Sequence, residues 1–198
     1  YQTVEKAKPI GICGSAIVDV VANLLKCRLI DRKGIFVEYS STSKLRTRNG
    51  EKEFVLVSKS EGAKRDIVIT QKDIEQIQLA KAAIYTGCYI LMKRKRVKPE
   101  DIKKMFVAGA FGNYINLENA ELIGMLPDIP TKRIRFVGNA AGAGARMALI
   151  SKKHRRMMSS VRQRIRYIEL ALDPDFQAEF TSAMFFPNKD PSRFPSSK

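Results

Sequence analysis

Apolar residues recur along this chain at two spacings, and the spacing separates predicted helices from predicted strands. Over residues 16–29 they recur every three or four positions, which predicts an amphipathic helix with Ser15 as its cap and Asp19 in its first turn. A second helical pattern follows the capping-box sequence Thr70–Asp73 and predicts a long helix that ends near Met92. Its predicted apolar stripe is Ile74, Ile77, Lys81, Ile84, Cys88 and Leu91.

Short apolar runs between polar turns predict strands. The first half of the chain has three, at residues 34–39, 54–57 and 66–69, and we expect them to be antiparallel. The polar stretch 40–50 predicts a loop. In the second half, strands at 106–108 and 134–137 alternate with helical patterns at 98–102, 117–126 and 138–148. This alternation of strand, glycine turn and helix indicates an α/β fold.

The last forty residues have a different pattern. Residues 165–170 alternate like a strand, and a short helix is predicted from Asp173 to about Met184. From Pro187 onward, proline and serine predict a frayed segment. We therefore predict one domain over residues 1–187 and a flexible tail over 188–198.

Composition and charge narrow the function classes. The chain has 198 residues, 44% of them hydrophobic, which is enough for one domain with a sizeable core. No apolar run approaches membrane-spanning length and the start has no signal-peptide core, so a cytoplasmic protein is predicted. The net charge of +16 would attract polyanions. A solvated basic surface that faces an acidic protein partner or an acidic upstream domain is favoured over nucleic-acid binding, because no helix-turn-helix, zinc-finger or aromatic RNA-binding pattern is present.

Metal chemistry built from this chain alone is not expected. Cys13, Cys27 and Cys88 are far apart and form no Cys-x-x-Cys pair, and His154 is the only histidine. We therefore predict buried or partly buried thiols in a reducing compartment and no metal site.

Two glycine-rich turns are the strongest candidates for ligand chemistry. They lie within residues 105–114 and 136–145, each after a short apolar run and before a helical pattern. Glycine lets the backbone come close to a flat or charged ligand, which makes a nucleotide site plausible. The small residues at 11–15 are interpreted as the start of a helix rather than as a phosphate contact.

Several segments together resemble one known family. They are Pro9–Ser15, Ile69–Ile74, Gln78–Ile84, Val107–Asn113, Ile123–Pro127, Val137–Asn139 and Tyr167–Leu170 with Phe176 and Phe180. In order and spacing they resemble the C-terminal region of the ATP-dependent reductive activators of corrinoid proteins, over residues 8–187. Ala16 is one departure, because the family more often has glycine there.

The resemblance implies an RNase-H-like second subdomain of the actin, sugar kinase and heat-shock chaperone ATPase superfamily, incomplete at its N-terminus. In such activators ATP use supports the reduction of cob(II)alamin to cob(I)alamin on a corrinoid protein of a methyl-transfer system. The phosphate loops that hold ATP with Mg²⁺, and a ferredoxin-like domain with a [2Fe-2S] cluster, are expected upstream. This portion is not expected to be catalytic alone, and a homodimer is left open.

The resemblance also assigns residues. Gly109, Ala110, Phe111, Gly112 and Asn113 resemble the superfamily's adenosine motif. Gln78 and Lys81 lie on a helix that resembles one lining the other side of the adenosine, with a solvent-edge lysine as the alternative for Lys81. Gly138 and Asn139 would either flank the pocket or serve tight helix packing.

Overall fold

The computed structural model describes residues 1–38, 42–109 and 114–197. Its helices are α1 Gly14–Lys26, α2 Gln71–Lys95, α3 Leu117–Leu122, α4 Ala140–Ile150, α5 Lys152–Arg164 and α6 Phe176–Ala183. Its strands are β1 Leu45–Arg48, β2 Glu51–Val57, β3 Ile67–Thr70, β4 Met105–Ala108 and β5 Ile134–Gly138. The strands form an antiparallel sheet in the order β1-β2-β3 and a parallel pair β4-β5, so the predicted α/β class is confirmed.

The antiparallel sheet begins with a strand that the sequence prediction placed in a loop. β1 pairs with β2 from Leu45↔Phe54 to Arg48↔Glu51, across a turn in which Asn49 and Gly50 have φ of 52° and 79°. Asn-Gly favours this left-handed hairpin turn, so even the polar β1 can pair. The predicted strand at 34–39 is wrong over its described residues, which contribute only the isolated bridge Ile30↔Phe36.

Helix α1 begins two residues earlier than predicted. Its N-cap is Cys13, without a side-chain cap, so the predicted capping by Ser15 is wrong. Asp19 lies beyond the first turn, because the helix starts at Gly14. Its Oδ1 instead accepts a hydrogen bond of 2.7 Å from Asn119 Nδ2, which ties α1 to α3.

Helix α2 has the predicted start and a different buried face. Thr70 Oγ1 accepts from the backbone N–H of Asp73, whose carboxylate accepts from the N–H of Thr70, so the capping box is confirmed. The helix runs three residues past Met92, to Lys95. The predicted stripe is wrong at Ile84 and Leu91, which are 43% and 47% exposed. The buried face also carries Gln78, Ala82, Tyr85, Thr86 and Ile90.

The main core lies between α1, β3, the start of α2 and α3. Its fully buried side chains include Val18, Phe36, Ile69, Ile74 and Ile123. A second cluster joins α2 to α6 through Ala82, Tyr85, Ala183 and Phe194. Both clusters use α2, so this helix connects the two halves of the fold.

The parallel pair β4-β5 runs from Met105↔Ile134 to Ala108↔Gly138, with a register shift between Val107 and Ala108, and its faces are poorly covered. Phe106 is 63% exposed, and Phe136 and Val137 are also exposed. Parallel strands are normally buried on both faces. The exposed side chains therefore mark a surface that suits contact with another part of the protein.

The C-terminal third differs from its prediction in two places. Residues 165–170 form no strand, and only a 3₁₀ turn at Leu170–Leu172 follows the basic helix α5. The short helix after Asp173 is confirmed as α6.

Residues 188–197 pack against the fold instead of fraying. Phe194 is 1% exposed and its ring lies 5.2 Å from that of Tyr85. Ser196 Oγ donates to Asp128 Oδ1 at 2.5 Å and lies 3.2 Å from Glu121 Oε1. The proline and serine content predicted fraying because it does not show this aromatic anchor. The boundary at residue 187 itself stays a prediction.

The carboxylates that contact Ser196 should make the stability of the fold depend on pH. Burial, and then the neighbouring Asp128, raise the pKa of Glu121 to about 7. The folded pKa lies above the unfolded one, so this group's stabilising contribution is present at acidic pH and lost as pH rises through about 7. We expect the free energy of unfolding of the wild type to fall by about 1 kcal/mol relative to Glu121→Gln between pH 5 and 8. Urea denaturation at both pH values measures this.

The exposed Glu75 on α2 supplies the control, since Glu75→Gln removes a charge from water and not from the surroundings of Glu121. Parallel stability curves for wild type and Glu121→Gln would contradict the prediction.

Candidate functional site

The two glycine-rich turns meet at one edge of the parallel strand pair. Gly109 follows β4 with φ of 102°, and Gly138 ends β5 with φ of 62°. The N–H of Gly109 donates to the carbonyl of Gly138 at 2.7 Å, which holds the two turns side by side. Residues with a Cβ rarely adopt a φ of 102°, and a φ of 62° also favours glycine, so the backbone explains the residue type at both positions.

Among the described residues, no heavy atom lies within 4 Å of a Cβ built at Gly109, so none of them covers its backbone at the carboxyl end of the sheet. In α/β sheets this edge is where ligands bind. The predicted contacts Ala110, Phe111, Gly112 and Asn113 lie outside the described residues.

Asn139 has a local role that the sequence left open. It is the N-cap of α4, and its Oδ1 accepts from the N–H of Gly142 at 2.9 Å. A Cβ on Gly142 would lie 2.7 Å from Asn139 Nδ2, so the small residue leaves room for the cap. The predicted helix start at Gly138 and Asn139 is confirmed. Contact of either residue with a nucleotide stays a prediction.

The resemblance assigned Gln78 and Lys81 to the other side of the adenosine. In the structure both side chains instead donate hydrogen bonds to backbone carbonyls inside the fold. Gln78 Nε2 donates to the carbonyls of Lys33 and Met184 at 2.9 and 2.8 Å. Lys81 is 0% exposed, and its Nζ donates to the carbonyls of Phe185 and, at 2.8 Å, Pro187. Both side chains are therefore used inside the fold, where they hold the segment after α6 against α2.

The environment of Lys81 is unusual for an amine. Burial lowers its pKa to about 7, and its Nζ lies 5.2 Å from the centre of the Phe186 ring. The sequence contained a sign of this, because Lys81 is the one charged residue in the predicted apolar stripe of α2. A lysine in such a position either reaches the solvent or is buried with partners, and only the packing distinguishes the two.

Some residues at the site were not predicted. The exposed Phe106 and Phe136 lie on β4 and β5, directly before the two turns. Their apolar character indicated core positions, and nothing in a single sequence shows that a strand face lacks a cover. They extend the candidate site from the glycine turns to an apolar surface next to them.

The described ranges contain no metal centre and no membrane helix. Within residues 1–38, 42–109 and 114–197, no group of three or more His, Cys, Asp and Glu side chains could hold a metal ion. The three cysteines are free, and the prediction that they are buried is wrong for Cys13 and Cys27, which are exposed, while Cys88 is partly buried as predicted. An iron-sulphur cluster therefore does not fit the described part of this chain. No helix of that part is long and apolar enough to cross a membrane.

Comparisons with known proteins agree on one family. A profile described as the C-terminal domain of RACo, the ASKHA domain, matches residues 1–198. The corrinoid activation enzyme RamQ of Eubacterium limosum is 40% identical over 184 residues, which are 89% of this chain and 31% of RamQ. A solved reductive activator for a corrinoid, iron-sulphur protein is 38% identical, with a TM-score of 0.92 over 99% of this chain and 31% of its own.

A third relative matches a shorter stretch. The [Co(II) methylated amine-specific corrinoid protein] reductase of Methanosarcina barkeri is 34% identical over 86 residues, 43% of this chain and 16% of the reductase. The chain thus spans about a third of the length of RamQ and of the solved activator.

Proposed function

The chain belongs to the family of the C-terminal, ASKHA domain of RACo, and from that premise we propose that it is the adenosine-binding portion of an ATP-dependent activator. That activator supports the reduction of cob(II)alamin to cob(I)alamin on a corrinoid protein. The ASKHA fold supports nucleotide binding. The names of three relatives, each tied to corrinoid proteins, support the substrate class.

The observation that carries the proposal is the pair of joined glycine turns. Gly109 and Gly138 present positive-φ backbone at the carboxyl edge of two parallel strands, and no other described residue lies within 4 Å of a Cβ built at Gly109. A flat base and ribose can pack on such backbone because glycine itself has no side chain. In this proposal residues 109–113 contact the adenosine, and Gly138 and Asn139 flank it.

The uncovered strand faces support a clamp made of two parts. Phe106, Phe136 and Val137 are exposed where parallel strands are normally covered. The remaining two thirds of the relatives' length would supply the phosphate loops with Mg²⁺ and a ferredoxin-like domain with a [2Fe-2S] cluster. This portion is then not catalytic alone, because it contributes adenosine contacts and a closing surface while other residues handle the phosphates.

ATP would act on the corrinoid partner through closure of the two parts. A nucleotide that binds the closed form more tightly shifts the population toward it. If the corrinoid protein also distinguishes the two forms, the two binding events are coupled, and the coupling acts equally in both directions. The role of this chain is to make the closed form depend on adenosine.

ATP binding by the intact protein tests the proposed adenosine site. We expect Gly112→Asp to weaken ATP binding at least tenfold, or about 1.4 kcal/mol, because a carboxylate there would intrude on the base and repel the phosphates. Isothermal titration calorimetry with ATP measures the change.

Gly144→Asp is the matched control. Gly144 lies in α4 with no heavy atom within 4 Å of a built Cβ, so the same substitution there should leave ATP affinity unchanged. Unaltered ATP binding by a folded Gly112→Asp variant would overturn the assignment of the adenosine motif.

One observation favours a second candidate function, a basic module that docks an acidic partner. Residues 129–168 contain eleven Lys and Arg and no Asp or Glu. Helices α4 and α5 lie within this stretch and have no buried residue, and they expose Leu149, Ile150 and Met157 among others. This candidate predicts full corrinoid-protein affinity without ATP, whereas the first predicts an affinity that depends on ATP.

A further inference from the structure

A second concave site lies toward the opposite end of the parallel strands from the glycine turns. It has a volume of about 650 Å³ and is lined by the end of α2, the turn before β4 and the C-terminal segment. Pro99 and Glu100 precede β4, and Asp128 precedes β5, so the cleft lies at the amino ends of both strands. Gly109 and Gly138 lie at the carboxyl ends of the same strands.

The interior of the cleft is aromatic and apolar. Tyr85, Tyr89 and Met92 line the cleft from α2. Val97, Pro99 and Pro195 complete its apolar lining. The volume falls within the range of small-molecule sites, which are mostly apolar with a few polar groups that orient the ligand.

The rim is predominantly cationic. Four Lys or Arg residues line the cleft, against two acidic residues, Glu100 and Asp128. Asp128 accepts from the N–H and Oγ of Ser196. Lys93 is paired with Asp175, and Arg193 is paired with Glu179 while stacking over Tyr89 at 4.5 Å.

The two remaining cations are available to a ligand. Among the described residues, neither Arg96 nor Lys98 has an acidic side chain within ion-pair distance. Arg96 ends α2 in a left-handed conformation, with φ of 53°. Two unpaired cations at the mouth of an apolar cleft match a ligand with an apolar body and an anionic end.

We propose that this cleft binds a small organic anion with an aromatic or aliphatic body. The body lies against Tyr89 and Met92, and the anionic group faces Arg96 and Lys98. The C-terminal segment completes the site, because Ser192, Arg193 and Pro195 form one wall and buried Phe194 holds that wall in place. This site is separate from the proposed adenosine site and does not depend on it.

A fluorescence titration tests the proposal in the intact protein. The probe is 1-anilinonaphthalene-8-sulfonate, an apolar anion. The reporter is the energy transfer that Tyr89→Trp gains over the wild type, because this chain contains no tryptophan of its own and any donor outside it cancels in that difference. An indole at position 89 can still stack with Arg193. We expect saturable energy transfer from the introduced indole to the probe. Adding Arg96→Gln and Lys98→Gln should raise the Kd about tenfold.

Two controls separate this site from general attraction by a basic protein. Lys152→Gln with Lys153→Gln removes the same charge from α5, which does not line the cleft, and should change the Kd less than about twofold. The neutral probe N-phenyl-1-naphthylamine should bind at least about fivefold more weakly.

Absence of saturable transfer, or equal weakening by the two pairs of substitutions, would overturn the proposal. If Tyr89→Trp does not fold, the enhancement of probe fluorescence in the wild-type background, with the same two pairs, decides between the same outcomes.

Discussion

Substituting Gly124 by alanine is expected to destabilise the fold by about 3 kcal/mol or more. Gly124 follows α3 with φ of 73°, a conformation that disfavours a Cβ. The Cβ would also lie 2.0 Å from the carbonyl oxygen of Pro187, which is backbone and cannot rotate away. The turn after α3 and the segment after α6 would have to separate, and the main core lies beside both.

Urea denaturation followed by circular dichroism measures this effect. Gly144→Ala is the control, because Gly144 lies in α4 with open space around a built Cβ. Alanine there should be neutral or stabilising by up to about 1 kcal/mol. Equal stabilities of the two variants would show that the contact between Gly124 and Pro187 is not as close as described.

Substituting Lys81 by methionine is expected to cost about 3 kcal/mol at neutral pH. Methionine fills a similar volume without a donor, so the carbonyls of Phe185 and Pro187 lose the hydrogen bonds that Nζ provides. Removing a desolvated amine offsets part of this loss. The cost of the two unpaired carbonyls is larger, so the substitution lowers the free energy of unfolding. Thermal and urea denaturation measure the change. Lys95→Met, on an exposed position of the same helix, should stay within about 0.5 kcal/mol of the wild type.

The same lysine predicts a pH dependence. Burial lowers its pKa to about 7, below the value of 10.5 expected in the unfolded chain. The unfolded state then binds more protons between these values, so stability rises with pH from about 7 to 10.5. We expect the wild type to gain about 1 to 2 kcal/mol over Lys81→Met between pH 7 and 9. A difference that stays constant over this range would contradict the lowered pKa.

Both substitutions act on one carbonyl group. Pro187 O accepts from Lys81 Nζ and lies against Gly124, so the two residues approach the same segment from α2 and from the turn after α3. Neighbouring substitutions of this kind are rarely additive. The double variant should therefore lose less stability than the two single losses combined.

The helices and strands that the sequence predicted correctly depend on local signals. The capping box at Thr70, the helix α1 and the strands at 54–57 and 106–108 were predicted because each depends on residues close in sequence. The polar strand β1 was missed although Asn49-Gly50 indicated a hairpin. The strand predicted at 165–170 is wrong because alternation alone supplies no pairing partner.

At the candidate site, too, features that depend on neighbouring residues could be predicted, and contacts between distant residues could not. The glycine turns could be predicted, because left-handed backbone restricts the residue type wherever it occurs. That Gly109 bonds to Gly138 could not, since the residues are 29 positions apart in sequence and meet only through parallel pairing. Gln78 and Lys81 were assigned to the nucleotide by resemblance, and their inward orientation depends on the segment after α6.

The sequence by itself determined the family, the α/β class, most helices and the two glycine-rich turns, because these follow from residue patterns over short stretches of chain. Only the tertiary structure decided which faces are covered. It placed Lys81 inside, left Phe106 exposed, packed Phe194 against Tyr85 and formed a cationic cleft at the far end of the strands. Burial depends on which distant segments meet, and no single stretch of sequence contains that information.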